Sequence, residues 1–205
     1  MLRLTLAEIK KWDHRVARDK KYGKEQDIIE RVIKLYPYNT DLVQIAMKVS
    51  VIDLTNSTQL SNYKSRISLY DICQVILDIE RFDERLAVGD PELVIEIAKK
   101  CKNFDGVGKG VNLFSFASKY CCYHNIYQYG RDDYSIYDKV VSDVLYLYST
   151  KKNPLKKNQP DKWRQSIQYK EYNEYIGSLL DEKGIPSSVA GRRRMFDHFL
   201  WFANK

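Results

Sequence analysis

A short glycine-rich segment, residues 105–110, carries the residue types best suited to holding an anion. It reads Asp-Gly-Val-Gly-Lys-Gly and stands between two stretches with helical periodicity. Gly106, Gly108 and Gly110 leave backbone N–H groups open to a ligand, the next helix points its positive end at them, and Lys109 adds a mobile charge. Neither a dinucleotide-binding turn nor a P-loop pattern is present. We predict a phosphate-binding turn, with a plain tight corner between helices as the alternative.

A carboxylate follows this turn at the start of another predicted helix. Asp138 stands in Tyr-Ser-Ile-Tyr-Asp-Lys-Val-Val, residues 134–141. A helix over 90–102, the glycine hairpin, a helix over 111–123 and then an apolar-x-x-Asp pattern occur in that order. This order resembles the helix-hairpin-helix region of DNA glycosylases and is most similar to the 8-oxoguanine DNA glycosylase branch. The resemblance is concentrated in residues 90–145.

The resemblance implies an all-α fold of two helical lobes with a DNA-binding cleft between them. It places the amides of Gly106 and Gly108 on a backbone phosphate. It also matches Asp138 to the catalytic aspartate, which opposes the positive charge that develops on the sugar as a base departs. The same carboxylate would orient or deprotonate the attacking water. An aspartate here also suits a helix N-cap, so a purely structural role is the alternative.

The lysine that serves as nucleophile in bifunctional relatives is displaced in this chain. The matching position, two residues beyond the second hairpin glycine, is Gly110, and Lys109 stands one place early. This departure favours a monofunctional glycosylase that uses water, with Lys109 as a phosphate contact. Lys119, nine residues beyond Gly110, is the other catalytic candidate, while a solvated lysine on a helix surface is the simpler expectation for it.

A flipped base leaves a gap in the helix that such enzymes fill with an inserted side chain. The polar stretch Thr-Asn-Ser-Thr-Gln, residues 55–59, occupies the position of the intercalating loop in relatives. Asn56 is the first candidate for this wedge and Gln59 the second. An ordinary polar loop between helices is the alternative.

The last predicted helix carries candidates for a base pocket. Phe196, His198 and Trp201 provide aromatic faces and a polar ring, and the resemblance places the last helices beside the extruded base. An aromatic stripe at helical spacing is also typical of a core, which is the favoured interpretation for both Leu200 and Trp201.

Positive charge is concentrated at the two ends of the chain. The net charge is +7, with 12 Lys and Arg against 6 Asp and Glu in 151–205 and 7 against 3 in 1–22. Arg192, Arg193 and Arg194 form the densest cluster and are predicted phosphate contacts, with a solvated charge run as the alternative. Basic ends around a neutral middle indicate a positive face suited to phosphate, with a solvated lysine-rich surface as the alternative, and the resemblance implies double-stranded DNA as the partner.

Local signals predict about nine helices and no strands. Thr5 and Glu8 form a capping-box pattern, as do Ser68 and Asp71, and Asp90-Pro91 marks another helix start. The predicted helices cover approximately 5–18, 23–36, 40–54, 68–79, 90–100, 111–123, 138–148, 163–182 and 188–203. A polar loop is expected over 124–135, and a lysine-rich linker lies between Pro154 and Pro160.

Composition excludes several protein classes. The 205 residues are 44% hydrophobic and 30% charged, which suits one folded domain over 1–205, with the helix-hairpin-helix at about 90–123 and basic helices over 161–205. No run of about 20 apolar residues and no secretory signal is seen, so a soluble cytoplasmic protein is expected. Four cysteines and three histidines lack metal-site spacing. We expect no metal, no cofactor and a monomer.

The sequence therefore predicts a DNA glycosylase that excises a damaged or modified base from double-stranded DNA. Oxidised purines and hypermodified bases such as phage cytosines are the candidate substrates, in DNA repair or in antiviral defence. A non-catalytic helix-hairpin-helix DNA-binding protein is the main alternative. An interaction protein of a defence or toxin system is the third.

Overall fold

The computed structural model describes residues 2–56, 58–106 and 110–203, and within these ranges the chain contains helices and no strands. The predicted all-α class is confirmed. The first six α-helices are α1 Leu6–Arg18, α2 Tyr22–Leu35, α3 Leu42–Asn56, α4 Leu69–Leu77, α5 Phe82–Val88 and α6 Glu92–Lys102. The remaining five are α7 Phe114–Tyr129, α8 Lys139–Val144, α9 Gln159–Gln165, α10 Tyr169–Glu182 and α11 Arg192–Ala203. Short 3-10 turns cover Leu60–Tyr63 and Leu145–Tyr148.

The predicted helix starts are set by side-chain caps. Thr5 accepts a hydrogen bond from the Glu8 amide at 3.2 Å, and Ser68 and Asp71 form a complete capping box. The Asp90 carboxylate accepts from the amide of the residue at which α6 begins, at 3.0 Å. These caps satisfy amides that have no partner inside their own helix, which is why local sequence placed these helix starts correctly.

The polar loop predicted from His124 onwards is wrong, because α7 continues to Tyr129. His124 and Asn125 are fully buried, and each has at least one polar atom bonded within the protein. The His124 Nδ1 lies 2.7 Å from the Tyr120 carbonyl oxygen, and the Asn125 amide donates to the Leu86 carbonyl at 2.9 Å. Polarity read along the sequence therefore misplaced the end of this helix.

Two further differences concern helix number. The single helix predicted over 163–182 is divided into α9 and α10 at Ile167, whose φ is 53°. A buried isoleucine in the left-handed region is held by packing, so no local pattern signals it. The short helix α5 was also missed, and it ends at Gly89, which has a φ of 74°.

The buried apolar side chains form one cluster that draws on every α-helix. Helix α7 packs against α2, α3, α5 and α6, while α1 packs against α11 and so brings the two ends of the chain together. A division into two lobes and a helix-hairpin-helix unit stays a prediction. Among the described residues, no helix combines the length and the apolar character that crossing a bilayer requires.

Candidate functional site

Asp138 lies at the start of α8, directly after a non-helical segment, residues 134–137, whose side chains are all buried. Its Oδ1 accepts the Val141 amide at 2.9 Å, so the expected N-cap is present. Its Oδ2 accepts the indole N–H of Trp201, which reaches it from the last turn of α11. One carboxylate oxygen therefore holds the helix and the other faces the interior of the site.

Lys119 lies within α7 and is 5% exposed, so the expected solvated lysine is wrong. Its Nζ stands 4.0 Å from Asp138 Oδ2 and donates to the Asn56 carbonyl at 3.3 Å. Burial lowers the pKa of Lys119, while the neighbouring Asp138 and Asp197 carboxylates oppose that shift. The result is a desolvated amine beside a carboxylate, a combination suited to charge stabilisation or proton transfer.

Two cavities meet at this pair. We call the first the inner pocket, a narrow and partly open space of about 40 Å³ lined mainly by α1, α2, α3, α7 and α11. The second, the outer cleft, is an open depression of about 650 Å³ bordered by α8, α9 and the segment after α3. The side chains that border both spaces are Asn56, Lys119, Asp138 and Trp201. A group bound in either cavity would contact the same carboxylate and amine.

The wall of the inner pocket is a hydrogen-bonded network centred on Arg194. The guanidinium donates to the Asp197 carboxylate, to Gln26 at 2.9 Å and to the Tyr123 hydroxyl at 3.1 Å. It also lies 4.9 Å from the centre of the Tyr123 ring, within cation–π range. Burial raises the pKa of Asp197 to about 6, although Arg194 opposes this shift. The site thus holds two buried cations and two buried carboxylates.

Aromatic rings also line the inner pocket. Tyr22 packs edge-on against Trp201 at 5.8 Å and against Phe202 at 5.0 Å between ring centres. Such rings provide the flat apolar faces on which a planar heterocycle stacks. The inner pocket therefore combines charged acceptors with aromatic surface.

The two wedge candidates occupy different places. The Asn56 side chain accepts a hydrogen bond from the Tyr123 hydroxyl at 2.5 Å and donates to Thr55 at 2.9 Å, so it is held inside the site. Gln59 is exposed, borders the outer cleft and has a φ of 58°. This placement favours Gln59 over Asn56 for an inserted side chain.

The two glycines of the turn that the structure describes, Gly106 and Gly110, border neither cavity. Gly106 is exposed, with a φ of 72°. Gly110 packs so closely on the end of α6 that a Cβ would stand 2.2 Å from the Cys101 carbonyl oxygen. Gly108 and Lys109 lie outside the described residues. The anion-binding role of this turn stays a prediction.

The arginine cluster is bound by the protein itself. Arg192 pairs with Asp181 and donates to the Ile185 carbonyl at 2.6 Å. Arg193 donates to Ser135 Oγ at 2.6 Å, and Arg194 forms the network described above. Because these guanidinium groups already have protein partners, their placement argues against the predicted phosphate contacts.

The base-pocket candidates separate into two groups. His198 and Trp201 border the inner pocket, whereas Phe196 is 1% exposed and packs on Tyr148 and Phe199 in the core. Leu200 is in the core as expected. Phe196 is therefore better explained by packing than by contact with a ligand.

Sequence reasoning missed Asp197, Gln26 and Tyr22. A signal for the site was present in α7, where Lys119 is the single charged side chain of the helix. A single charged side chain in an otherwise uncharged helix indicates a buried charge that has a bonding partner or a functional role. Asp197 stands three residues after Arg194 and four before Trp201, spacing that places all three on one face of α11.

Comparison with known proteins identifies relatives without identifying a reaction. A family model named HI_0787_N, described as an N-terminal domain, matches residues 5–133. A Haemophilus influenzae protein described as uncharacterized is 29% identical over 156 residues, which cover 75% of this chain and 64% of that relative. The match thus spans just under two thirds of the relative's length. No solved structure matches the chain. Within the described ranges, no three His, Cys, Asp or Glu side chains are grouped as metal ligands.

Proposed function

The chain belongs to the HI_0787_N family, and we propose that it is a DNA glycosylase that excises a damaged or modified base from double-stranded DNA. One observation carries the proposal. The buried Asp138 carboxylate lies 4.0 Å from the Lys119 amine, where the inner pocket meets the outer cleft. A base in the inner pocket and its sugar in the outer cleft would bring the N-glycosidic bond to this pair.

The chemistry requires a fixed negative charge beside the sugar. As the bond between C1′ and the base nitrogen breaks, positive charge develops on the sugar ring, and Asp138 Oδ2 stabilises it. A water oxygen then bonds to C1′ and gives up a proton, while the departing base nitrogen gains one. Asp138 orients that water and accepts its proton. Its Oδ1 remains on the Val141 amide, which fixes the carboxylate throughout.

Lys119 has two possible tasks in this arrangement, and they predict different products. In the proposed hydrolytic reaction its ammonium forms an ion pair with Asp138 and orients Oδ2 towards the sugar. A neutral amine would instead attack C1′ and form a Schiff base, which the lowered pKa of Lys119 makes accessible. Gly110 stands where bifunctional relatives carry their nucleophilic lysine, and this difference supports the hydrolytic reaction.

The outer cleft supports a nucleic-acid partner. Arg164 and Lys139 border it, alongside polar side chains at Thr58, Gln59 and Gln165. Cations beside an open polar depression suit a phosphate backbone, and the net charge of +7 favours association with it. Asp161 lies 4.0 Å from Arg164 and moderates this positive potential.

The test is an abasic-site assay on duplexes with damaged bases and on naturally modified phage DNA. Wild type is compared with Asp138→Asn, which keeps an N-cap for α8. The matched control is Asp143→Asn, an exposed carboxylate on the same helix that pairs with Lys139. We expect abasic sites from wild type and control, and a loss of about 100-fold or more in Asp138→Asn. Equal rates in the Asp138 variant would overturn the proposal.

Borohydride trapping in the same assay separates the two tasks of Lys119. Hydrolysis predicts abasic product without a trapped protein–DNA adduct, whereas attack by the amine predicts an adduct that Lys119→Gln abolishes. A non-catalytic DNA-binding protein predicts neither outcome. It gives no abasic sites with any substrate and salt-dependent binding that Asp138→Asn leaves unchanged.

A further inference from the structure

Two residues that line the inner pocket, Asp197 and His198, each carry a buried side-chain atom that has no hydrogen-bond partner among the described residues. Asp197 is 8% exposed; its Oδ2 accepts from Arg194, and its Oδ1 has no hydrogen-bond partner there. The second such atom is Nε2 of His198, which is 9% exposed. Buried polar atoms in native proteins are nearly always paired. Six such side-chain atoms lack a partner among the described residues, and the two that belong to residues lining the inner pocket are placed where a ligand that supplies hydrogens would satisfy them.

The hydrogen-bond role of His198 follows from its other nitrogen. Nδ1 lies 2.7 Å from Oδ1 of Asp13, and because a carboxylate accepts, Nδ1 carries the proton. Burial and the nearby Arg194 lower the pKa of His198 to about 4, so the ring is neutral at pH 7. Its Nε2 is then an acceptor, like Asp197 Oδ1.

Arg194 already has protein partners for its hydrogen bonds, whereas the Lys119 ammonium, which keeps hydrogens to spare, lies at the junction with the outer cleft. Arg194 donates to Asp197, Gln26 and Tyr123, and Lys119 donates to the Asn56 carbonyl. The inner wall therefore offers a ligand acceptors beside aromatic faces. A planar group with amino hydrogens fits this combination, and a group whose edge carries only carbonyl oxygens does not.

We infer that the inner pocket recognises a nucleobase through an exocyclic amino group, with Asp197 Oδ1 as the principal acceptor and His198 Nε2 as the second. The inference rests on the proposed function and narrows its substrates to amino-bearing bases. Replacing the amino group by a carbonyl would put two acceptors face to face and leave Asp197 unpaired in a buried site. Sites built around such a bond reject the analogue that lacks the hydrogen.

Entry of a base requires a change at the end of α11. The inner pocket measures about 40 Å³, whereas a cavity that holds benzene measures about 150 Å³. Trp201 and Phe202 form the wall that lies nearest the chain end, and the Trp201 indole donates to Asp138. A base that displaces this indole would free Asp138 Oδ2 for the sugar at the moment the pocket is filled.

The experiment uses free nucleobases, so that it does not depend on excision. Binding of adenine and hypoxanthine, and of cytosine and uracil, is measured on the full chain by ligand-observed NMR titration. Each pair differs at the amino position. We expect the amino member of each pair to bind about 10-fold more tightly or better. Equal affinity within both pairs, or preference for the carbonyl member, overturns the inference without any variant.

Asp197→Asn then assigns the preference to its residue. An amide presents both a donor and an acceptor, so the ratio within each pair should fall to about 2-fold or less. The matched control is Asp181→Asn, which removes another carboxylate paired with an arginine of α11, away from the pocket. An unchanged ratio in folded Asp197→Asn assigns recognition elsewhere and overturns the role of Asp197. If Asp197→Asn does not fold, His198→Gln is titrated in its place, and an unchanged ratio there overturns the role of His198.

Failure of this inference is distinguishable from failure of the proposed function. If the protein binds the amino-bearing bases more tightly but forms no abasic sites, the recognition proposed for the inner pocket is supported and the proposed glycosylase activity is rejected. Abasic-site formation with equal affinity for both members of each pair retains the glycosylase and removes the pocket's specificity.

Discussion

Lys48 and Lys119 are both buried, yet their surroundings differ. Lys48, in α3, is fully buried, and its ammonium donates to the carbonyls of Tyr36 at 3.0 Å and Tyr38 at 2.8 Å and to Asn39 Oδ1 at 2.8 Å. All three of its protons are used within the protein. Lys119 has one hydrogen bond to a carbonyl at 3.3 Å and a carboxylate at 4.0 Å, and it borders two cavities.

This difference distinguishes a buried lysine that stabilises the fold from a buried lysine that is available to a ligand. A buried charge whose hydrogens are all bonded holds neighbouring chain segments together and has nothing left for a ligand. A buried charge with spare hydrogens beside a cavity remains costly until a substrate arrives, which is the condition of a reactive site. Burial alone does not distinguish the two lysines, but the use of their hydrogens does.

The largest expected effect is on activity at Lys119. Lys119→Met should lower the rate of abasic-site formation by about 100- to 1,000-fold, because the charge beside Asp138 is lost. Its free energy of unfolding should fall by less than in Lys48→Met, because the removal of a desolvated cation offsets part of the lost pairing at 4.0 Å. Asp138 also keeps the Val141 amide and the Trp201 indole as donors. Single-turnover kinetics and urea unfolding measure both quantities. Lys100→Met, at an exposed lysine paired with Glu96, is the control. Full activity in Lys119→Met would break the comparison.

Lys48→Met should lower stability strongly and leave activity unchanged. Losing three hydrogen bonds in the interior leaves carbonyl acceptors unpaired, so the free energy of unfolding should fall by about 3 kcal/mol. The rate of abasic-site formation per folded molecule should stay the same. Urea unfolding with active-site titration separates the two quantities. The control is Lys34→Met, at an exposed lysine of α2 that pairs with Glu30. An unchanged stability would show that saturated hydrogen bonding does not mark a structural lysine.

The buried acids Asp132 and Asp197 extend the comparison to pH. Burial raises the pKa of each to about 6, from an ordinary value of 3.8. Between pH 4 and 6 the folded state therefore binds protons that the unfolded state has released, and these acids lower stability as pH rises.

Asp132 accepts a hydrogen bond from the Arg193 amide at 2.7 Å. Asp132→Asn removes the contribution of this carboxyl group to the pH dependence of stability. The melting temperature of the variant relative to wild type should rise between pH 4 and 7, by about 2–4 °C for each kcal/mol. Circular dichroism melts of wild type and variant at pH 4, 5, 6 and 7 measure this difference. A constant difference for Asp132→Asn would contradict the raised pKa.

The smallest effect is expected in the outer cleft. Arg164→Gln should weaken binding to any duplex a few-fold and reduce the salt dependence of the binding constant by about one unit of slope, as for one lost phosphate contact. Fluorescence anisotropy at several salt concentrations measures this slope. Lys11→Gln, on an exposed lysine paired with Glu8, serves as the control. A slope equal to that of wild type would place the DNA backbone elsewhere.

Much of the helical architecture was predictable from the sequence. Caps at Thr5, Ser68 and Asp90 act within three residues, so each left a local pattern. The end of α7 and the break at Ile167 were not predictable, because buried partners from other helices decide them.

The candidate site was predictable in part. Asp138 was identified by its position after the glycine turn, and Trp201 and His198 by their place in the last helix. The sequence misplaced Lys119 on the surface and did not reveal Asp197. Helical spacing shows which residues share a face, but not which face meets another helix.

The sequence by itself determined the all-α class, most helix starts and the candidate carboxylate. Tertiary structure alone decided that Lys119 lies beside Asp138 and that Trp201 and Asn56 contact this pair across 63 residues of chain. The physical reason is the distance along the chain over which each interaction acts. Caps, prolines and glycines act on backbone a few residues away, whereas the meeting of distant helices is set by the burial of apolar surface over the whole molecule.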